Sequence, residues 1–145
     1  MFSKTCKYGI KAVLYIAAAS LKGTRVKVGD IVKDAGVPKA FTGKILGELA
    51  RSGIVNSFTG PNGGFEMDAE KIRSVRVSNI VTILDGDDVY KTCVLGLEEC
   101  NEDRPCAMHH KMVGVKQQLR KVLENTSIYE LVKDAKAGNS FLNSL

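Results

Sequence analysis

Residues 92–110, TCVLGLEECNEDRPCAMHH, contain three of the four cysteines of this 145-residue chain and both of its histidines. Six residues separate Cys93 from Cys100, five separate Cys100 from Cys106, and His109 follows three positions later. Thiolates and a neutral imidazole can bind zinc or an iron–sulfur cluster, and neighbouring thiols can also be oxidised to a disulfide. The segment is therefore a candidate metal or cluster site, disulfide framework or redox switch.

The spacing of the donors favours one of these chemistries. Pro105 fits the first turn of a long helix, which would place Cys106 and His109 on one face near an amino-terminal end, where the helix dipole favours a thiolate. Structural zinc sites typically use a C-x₂₋₄-C pair, which is absent, and the wide spacing fits a loop around a larger inorganic core. The predicted ligands of an iron–sulfur cluster are Cys93, Cys100, Cys106 and His109; zinc and a thiol switch are the alternatives.

The rest of the chain indicates the compartment. The sequence has no run of eighteen apolar residues, and polar and basic residues interrupt the apolar ones at its amino terminus, unlike in a signal peptide. We therefore expect a cytoplasmic protein with no membrane partner. In a reducing cytosol, cysteines are more often metal-binding, catalytic or redox-sensing than joined in structural disulfides. Cys6 is predicted to be a small helix residue, and His110 is the alternative histidine ligand.

Charge is distributed unevenly along the chain. Residues 1–60 hold ten Lys and Arg against three Asp and Glu, a net charge of +7, whereas residues 61–145 have a net charge of −2. Lysine and arginine displace condensed counterions from phosphates, so a basic amino-terminal half fits a nucleic-acid partner. A solvated basic surface without a partner is the alternative.

The elements that follow from apolar spacing support the nucleic-acid interpretation. Helices are predicted over about 4–21, 28–36 and 38–53, and the last two form a helix-turn-helix around Gly36. Two β-prone runs, IVNSF and FEMD, flank the turn TGPNGG and predict a hairpin directly afterwards. This order is that of a winged-helix DNA-binding domain. An enzyme's phosphate loop is disfavoured because neither a GxGxxG nor a Walker pattern is present.

The carboxyl-terminal half is predicted to be helical as well. A short helix over 77–85 precedes the cysteine loop, a long helix over 104–124 follows it, and Ser127 opens a last helix that ends near Gly138. The long helix has apolar residues at heptad-like spacing: Met108, Met112, Val115, Leu119 and Val122. This seam favours packing on a second long helix, with a second subunit or the chain's own core as partner. The predicted fold is mainly α, with a winged helix-turn-helix over 1–75 and a cluster loop with dimerisation helices over 76–145.

Four segments in this order resemble the bacterial Rrf-type family of winged-helix transcriptional regulators over nearly the whole chain. They are YGIKAVLYIA in the first helix, LARSGIV at the end of the helix-turn-helix, GPNGGF in the hairpin and CAMH after the first two loop cysteines. The resemblance implies a homodimer that binds a pseudo-palindromic operator in double-stranded DNA. It also implies that a cluster senses iron–sulfur supply, nitric oxide or redox state.

The resemblance also implies a ligand set and a cluster type. Cys93, Cys100 and Cys106 match the family's cysteine ligands, and His109 matches the histidine of the IscR-like branch, where the cluster is [2Fe–2S]. The nitric-oxide-responsive branch completes a [4Fe–4S] site with an aspartate from the partner's first helix. The corresponding segment here reads CKYG and has no carboxylate. We therefore expect [2Fe–2S], with [4Fe–4S] or zinc as alternatives.

The sequence thus predicts a DNA-binding transcriptional regulator without enzymatic activity. The second helix of the pair would enter the major groove, and the hairpin would approach the neighbouring backbone or minor groove. The residues expected at these contacts are Lys39, Phe41, Thr42 and Lys44 on the helix and Asn62 and Gly63 on the hairpin. The alternatives are a zinc-stabilised DNA-binding protein without a sensing role and a small thiol-redox or electron-transfer protein.

Overall fold

This computed structural model describes residues 1–138, which contain eight helices and one two-stranded hairpin. The helices are α1 (Lys4–Leu21), α2 (Val28–Asp34), α3 (Lys39–Arg51), α4 (Ala69–Ser74), α5 (Val77–Asp85), α6 (Asp88–Lys91), α7 (His109–Asn125) and α8 (Ile128–Lys136). The strands are β1 (Asn56–Phe58) and β2 (Gly64–Glu66). The mainly helical winged-helix fold predicted from the sequence is confirmed. Within these residues, no helix is both long and apolar enough to cross a membrane.

Helix α1 lies at the centre of the molecule because apolar residues cover most of its circumference. It packs against α3, α5 and α8, and Ile16 and Ala17 are fully buried. Ser3 caps its amino-terminal end by accepting a hydrogen bond from the backbone amide of Cys6 at 3.0 Å. The Asp85 carboxylate at the end of α5 accepts hydrogen bonds from the backbone and side chain of Ser3. The start of α1 is thereby tied to the segment that leads into the cysteine loop.

Helices α2 and α3 form the predicted helix-turn-helix. Gly36, at φ +66°, provides the left-handed turn between them, and Pro38 precedes the first residue of α3. The apolar stripe of α3 is buried through Ile45, Leu46 and Leu49. Packing of this stripe against α1 leaves the opposite side of α3 facing solvent.

The hairpin that follows α3 is the wing. Its strands pair antiparallel, with Ser57 opposite Phe65. The wing also joins the segment before α2, because Val26 and Phe65 exchange two backbone hydrogen bonds of 3.0 and 2.7 Å. Gly64 has a φ of +134°, and a Cβ there would lie 2.7 Å from the Val26 carbonyl oxygen. The wing is therefore fixed to the helix-turn-helix by backbone contacts that need glycine.

The two predicted segments, 1–75 and 76–145, share one hydrophobic core in the described residues. Ile80 on α5 and Ile128 on α8 are completely buried in the same cluster as Ile16 and Leu49. The predicted capping box of α8 is present, with Ser127 accepting from the Glu130 amide at 3.1 Å. Residues 139–145 of the predicted second segment lie outside the described residues.

The long helix differs from the prediction in its start and in the direction of its seam. It begins at His109 rather than near residue 104, because residues 105–108 form an irregular turn. Leu123 is its buried residue, and Leu119 packs against the chain's own core. Val115 and Val122, by contrast, are 55% and 50% exposed. The short helices α4 and α6 were not predicted.

Candidate metal centre and nucleic-acid interface

The three loop cysteines meet at one point in the structure. The sulfur atoms of Cys93, Cys100 and Cys106 all lie within 4.8 Å of one another. The Sγ atoms of Cys93 and Cys106 are 3.6 Å apart, and Cys100 Sγ lies 3.3 Å from His109 Nδ1. Three thiols and one imidazole nitrogen therefore converge, as the sequence predicted for these four residues. A cavity of about 260 Å³ is lined by all four of them.

Short turns in the loop bring the cysteines together. The carbonyl oxygen of Cys93 accepts from the Gly96 amide at 2.9 Å, and the Cys100 amide donates to the Leu97 carbonyl at 3.2 Å. The Asn101 side-chain oxygen then accepts two backbone amides at 2.9 Å each, which folds the chain back toward Cys106. The loop positions its sulfur atoms mainly through local hydrogen bonds rather than through a core of its own.

His109 reaches the site in a different way from that expected. Cys106 lies before α7 rather than inside it, so the two residues do not share a helix face; instead, the His109 amide donates to the Cys106 carbonyl at 3.0 Å. The tight turn still directs the imidazole toward Cys100. The other ring nitrogen, Nε2, is buried without a hydrogen-bond partner among residues 1–138, and the Glu102 carboxylate lies 4.0 Å away. His110 is exposed beside His109, so His109 is the histidine directed at the sulfur atoms.

The local environment gives the thiols different acidities. The Leu97 backbone amide donates to the sulfur of Cys93 and, together with the Leu95 amide and the two neighbouring thiols, lowers the pKa of Cys93 to about 7 against the opposing effect of burial. At Cys100, the Cys106 amide also favours the thiolate, but burial and the two neighbouring sulfur atoms together raise the pKa. A cation bound among the sulfur atoms would relieve this mutual repulsion, because it favours all the thiolates at once.

Cys6 is separate from this centre. Its side chain is completely buried in α1, as expected of a small helix residue. Burial, with a further contribution from the nearby Asp85 carboxylate, raises the pKa of Cys6 to about 12. Cys6 therefore stays a neutral thiol in the core.

The residues predicted for the major groove divide into exposed and buried side chains. Lys39 and Lys44 are exposed on α3. Phe41 is half-buried, with its ring centroid 5.2 Å from that of Tyr8 on α1. Thr42 faces the core, contrary to the expectation that it faces a groove, and its hydroxyl donates to the Pro38 carbonyl at 2.9 Å. The helical period explains this, because Thr42 lies three positions before the buried Ile45.

The predicted wing residues also differ in exposure. Asn62 lies at the exposed tip, whereas Gly63 is buried. A Cβ at Gly63 would lie 2.9 Å from the Gly60 carbonyl oxygen and closer still to that of Phe58. Gly63 was expected at a DNA contact, but in this structure the atoms that approach it closely belong to the wing itself.

Two cations next to the wing were not predicted from the sequence. The guanidinium of Arg25 lies 3.7 Å from the centroid of the Phe58 ring, and Lys27 Nζ lies 3.4 Å from the Pro61 carbonyl oxygen. The available signal was the alternation Arg25-Val26-Lys27, which is typical of an extended segment with one buried residue between two exposed ones.

A helix-turn-helix with exposed lysines, a wing beside it and a core shared with the half that carries the cysteine loop are typical of a winged-helix DNA-binding protein. The chain belongs to the Rrf2 family, described as "Iron-dependent Transcriptional regulator", which matches residues 2–134. The family consists of DNA-binding regulators rather than enzymes.

Relatives with known names agree with this assignment. A protein of Aquifex aeolicus (strain VF5), described as an HTH-type transcriptional regulator, is 32% identical over 134 residues, which cover 91% of each chain. The HTH-type transcriptional regulator IscR of Vibrio campbellii is 25% identical over 128 residues, covering 88% of this chain and 74% of that protein. The chain is thus an IscR-like member of the family.

Solved structures share the fold at lower identity. CymR of B. subtilis, described as the global cysteine regulator, has a TM-score of 0.74 at 17% identity, covering 92% of this chain and 96% of that chain. T. potens IscR has a TM-score of 0.73 at 20% identity, covering 97% of this chain and 92% of that chain. Both therefore support the winged-helix architecture.

Proposed function

We propose that this regulator is a homodimer that senses iron–sulfur or redox status through a [2Fe–2S] cluster held by Cys93, Cys100, Cys106 and His109. The observation that carries the proposal is the convergence of three sulfur atoms and the Nδ1 atom of His109 on one cavity. The family description "Iron-dependent Transcriptional regulator" and the IscR relatives support the choice of iron.

The donor set fits such a cluster. Three thiolates and one neutral imidazole leave the site less electron-rich than four thiolates, which raises the reduction potential and suits a sensor. The Nε2 atom of His109 is buried and has no hydrogen-bond partner in the part of the chain that the structure describes. Glu102 is the nearest carboxylate that could orient it. When bound, the cluster would supply iron that oxidants and nitric oxide can attack. During iron shortage the cluster would not be loaded.

The chain offers a route from the cysteine site to the DNA-binding half. His109 begins α7, and Lys116 on the same helix donates to the Thr92 carbonyl beside Cys93 at 2.7 Å. Helix α7 packs against α5, and α5 packs against both α1 and α3. A change in the loop can therefore shift α7 and α5 relative to the recognition helix α3.

On the DNA side, Lys39 and Lys44 are the exposed residues of α3 proposed to contact the major groove, and Asn62 is the proposed wing contact. Phe41 and Thr42 instead fix α3 against α1 and its own first turn. In a homodimer, two such surfaces would be related by twofold symmetry, so the preferred operator is a pseudo-palindrome.

The homodimer is proposed to form through α7. Val115 and Val122, one heptad apart on the same face of this helix, are exposed at 55% and 50%. Leu119, which belongs to the predicted seam, packs partly on the chain's own core, so its substitution would disturb folding as well. Val115→Asp is the sharper variant, because it would bury a charge in the dimer but not in the monomer. Light scattering at micromolar concentration should show a wild-type dimer and a Val115→Asp monomer, and a wild-type monomer would contradict the proposal.

The cofactor test is anaerobic reconstitution with iron and sulfide, followed by metal and sulfide analysis and an absorption spectrum. We expect two iron and two sulfide per chain in the wild type. Uptake of zinc but never of iron with sulfide would overturn the sensing proposal and favour a zinc-stabilised DNA-binding protein. If His109→Ala keeps a normal cluster, the fourth ligand is His110 or a residue of the partner chain.

The regulatory test uses duplexes that the protein enriches from a random-sequence pool. Loaded and cluster-free protein should bind an enriched duplex with different affinity, and the enriched sites should contain two inverted half-sites. Lys44→Ala should cost about 1–3 kcal/mol if Lys44 contacts a base and should weaken all sequences equally if it contacts phosphate. Equal binding by loaded and cluster-free protein would contradict control by the cluster.

A further inference from the structure

The wing of this protein has no cation of its own. Residues 56–66, NSFTGPNGGFE, contain no lysine or arginine and one glutamate. Protein contacts to DNA backbone draw most of their affinity from lysine and arginine paired with phosphates. A wing that approaches DNA therefore needs positive charge from elsewhere in the chain.

The segment between α1 and α2 brings two cations to the wing. Val26 is buried and forms the backbone bridge to Phe65, and the neighbouring Lys27 has an extended backbone. In an extended segment, residues two apart point to the same face. Arg25 and Lys27 therefore both point away from the core, toward the wing turn.

Arg25 makes three contacts that link separate parts of the wing. Its guanidinium lies over the Phe58 ring on β1 at 3.7 Å, pairs with the Glu66 carboxylate on β2 at 3.1 Å, and donates to the Asn62 carbonyl in the turn at 3.0 Å. A planar guanidinium can stack and donate along its edge at the same time, which an ammonium cannot do. Arg25 is thus bound on several sides, and its charge is matched by Glu66.

Lys27 is placed differently. Its ammonium makes a single long contact of 3.4 Å to the Pro61 carbonyl at the wing turn, and its side chain is exposed. No carboxylate is paired with it among the ion pairs of residues 1–138. Lys27 therefore carries a positive charge beside the wing tip that remains free for an anionic partner.

We infer that the α1–α2 segment is part of the DNA interface: Arg25 is a positioning residue that fixes the wing, and Lys27 is the cation that contacts a DNA phosphate beside the wing turn. The inference rests on the proposed DNA contact of the wing. Glycine at position 64 fits this arrangement, because a Cβ there would push residues 25 and 26 away from β2.

The positioning role is tested in the free protein by amide hydrogen exchange. Arg25→Gln and Arg25→Lys should each speed the exchange of the Val26 and Phe65 amides several-fold, because neither side chain can stack and fork as a guanidinium does. Glu66→Gln, which removes one of the three contacts, should have a smaller effect. Unchanged exchange in Arg25→Gln, or full rescue by Arg25→Lys, would overturn the positioning role.

The phosphate contact is tested by the salt dependence of binding to a duplex enriched from a random pool. Lys27→Gln should reduce the slope of log K against log salt by about 0.9 for each bound chain, as expected for the loss of one phosphate contact. Arg25→Gln should weaken binding several-fold with the wild-type slope. Lys133→Gln on α8 is the matched control and should leave both affinity and slope unchanged.

The outcomes separate this inference from the proposed function. An unchanged slope in Lys27→Gln, or a slope lowered by Arg25→Gln, would overturn the assignment of the two roles while duplex binding itself persists. If the wild type binds no duplex, the proposed function and the Lys27 contact both fail. The exchange experiment in the free protein would still decide the role of Arg25.

Discussion

The wing turn, residues 59–63, and the cysteine loop, residues 92–108, are both irregular segments, but different forces hold them. The wing turn connects two paired strands, and Gly64, the first residue of β2, lies against the backbone of Val26. The cysteine loop has no strand pairing and is shaped by short turns and by contacts among Cys93, Cys100 and Cys106. Backbone geometry thus fixes the first, and side chains that can bind a ligand shape the second.

Burial shows the same difference. Gly63 in the wing turn is buried, whereas Val94, Leu95 and Leu97 in the cysteine loop are all more than half exposed. A segment that leaves apolar residues in solvent gains little from burial, so its order depends more strongly on what it binds. The wing is therefore shaped without a ligand, whereas the order of the cysteine loop depends on what the loop binds.

The largest expected effect comes from removing a donor in the cysteine loop. Cys100→Ala should abolish cluster loading, because it removes the sulfur that contacts both the Cys106 amide and the His109 ring. Cys6→Ala is the matched control and should load normally, since Cys6 is buried in α1. Iron and sulfide analysis after anaerobic reconstitution measures both. Normal loading of Cys100→Ala would show that the Cys100 sulfur is not required to bind the cluster.

A substitution in the wing should act on stability rather than on loading. Gly64→Ala should lower the free energy of unfolding by about 2–3 kcal/mol, because its φ of +134° and its contact with Val26 both exclude a Cβ. Gly29→Ala on α2, where a Cβ would meet nothing within 4 Å, should be neutral or stabilising by up to about 1 kcal/mol. Denaturant titrations compare them, and equal stabilities would contradict backbone control of the wing.

The distinction between loop cysteines and the core cysteine predicts a pH effect. The pKa of Cys6 is raised to about 12 in the folded state from an ordinary value of 9.0, so the unfolded chain loses this proton first as the pH rises. Stability linked to Cys6 is complete below pH 9 and falls between pH 9 and 12 by up to about 1.4 kcal/mol per pH unit. Cys6→Ala should lack this part of the alkaline loss. Parallel alkaline stability curves for the two proteins would refute the linkage.

The smallest expected effect is a local change in dynamics on loading. Amides in residues 93–108 should exchange several-fold more slowly when the cluster is bound, whereas those of residues 56–66 should stay unchanged. Hydrogen exchange of loaded and cluster-free protein measures this difference. Slowing of equal size in both segments would show that the wing also depends on the ligand.

Local sequence signals were sufficient for most of the helices. Apolar spacing located α1, α3 and α5 closely, and the S-x-x-E pattern at Ser127 gave the start of α8. These signals work because a helix is stabilised by contacts three or four residues apart and by its own capping residue. The cysteine set was also visible, since its residue types are rare elsewhere in the chain.

The start of α7 shows where local signals failed. Pro105 is compatible with a first helical turn, but bringing Cys106 toward Cys93 and Cys100 requires an irregular turn instead. The competition is between local helix formation and contacts with residues six to thirteen positions away. A single proline cannot indicate which of these prevails.

The sequence by itself determined the helix-turn-helix, the hairpin, the set of candidate ligands and, through the order of its motifs, the family. Only the tertiary structure decided that Phe41 packs on Tyr8, that Gly64 lies against Val26, and that Arg25 reaches across to Phe58 and Asn62. The physical reason is the range of the interactions. Helix periodicity and capping act within four residues, whereas the contacts of Arg25 join residues more than thirty positions apart, which only the packed chain brings together.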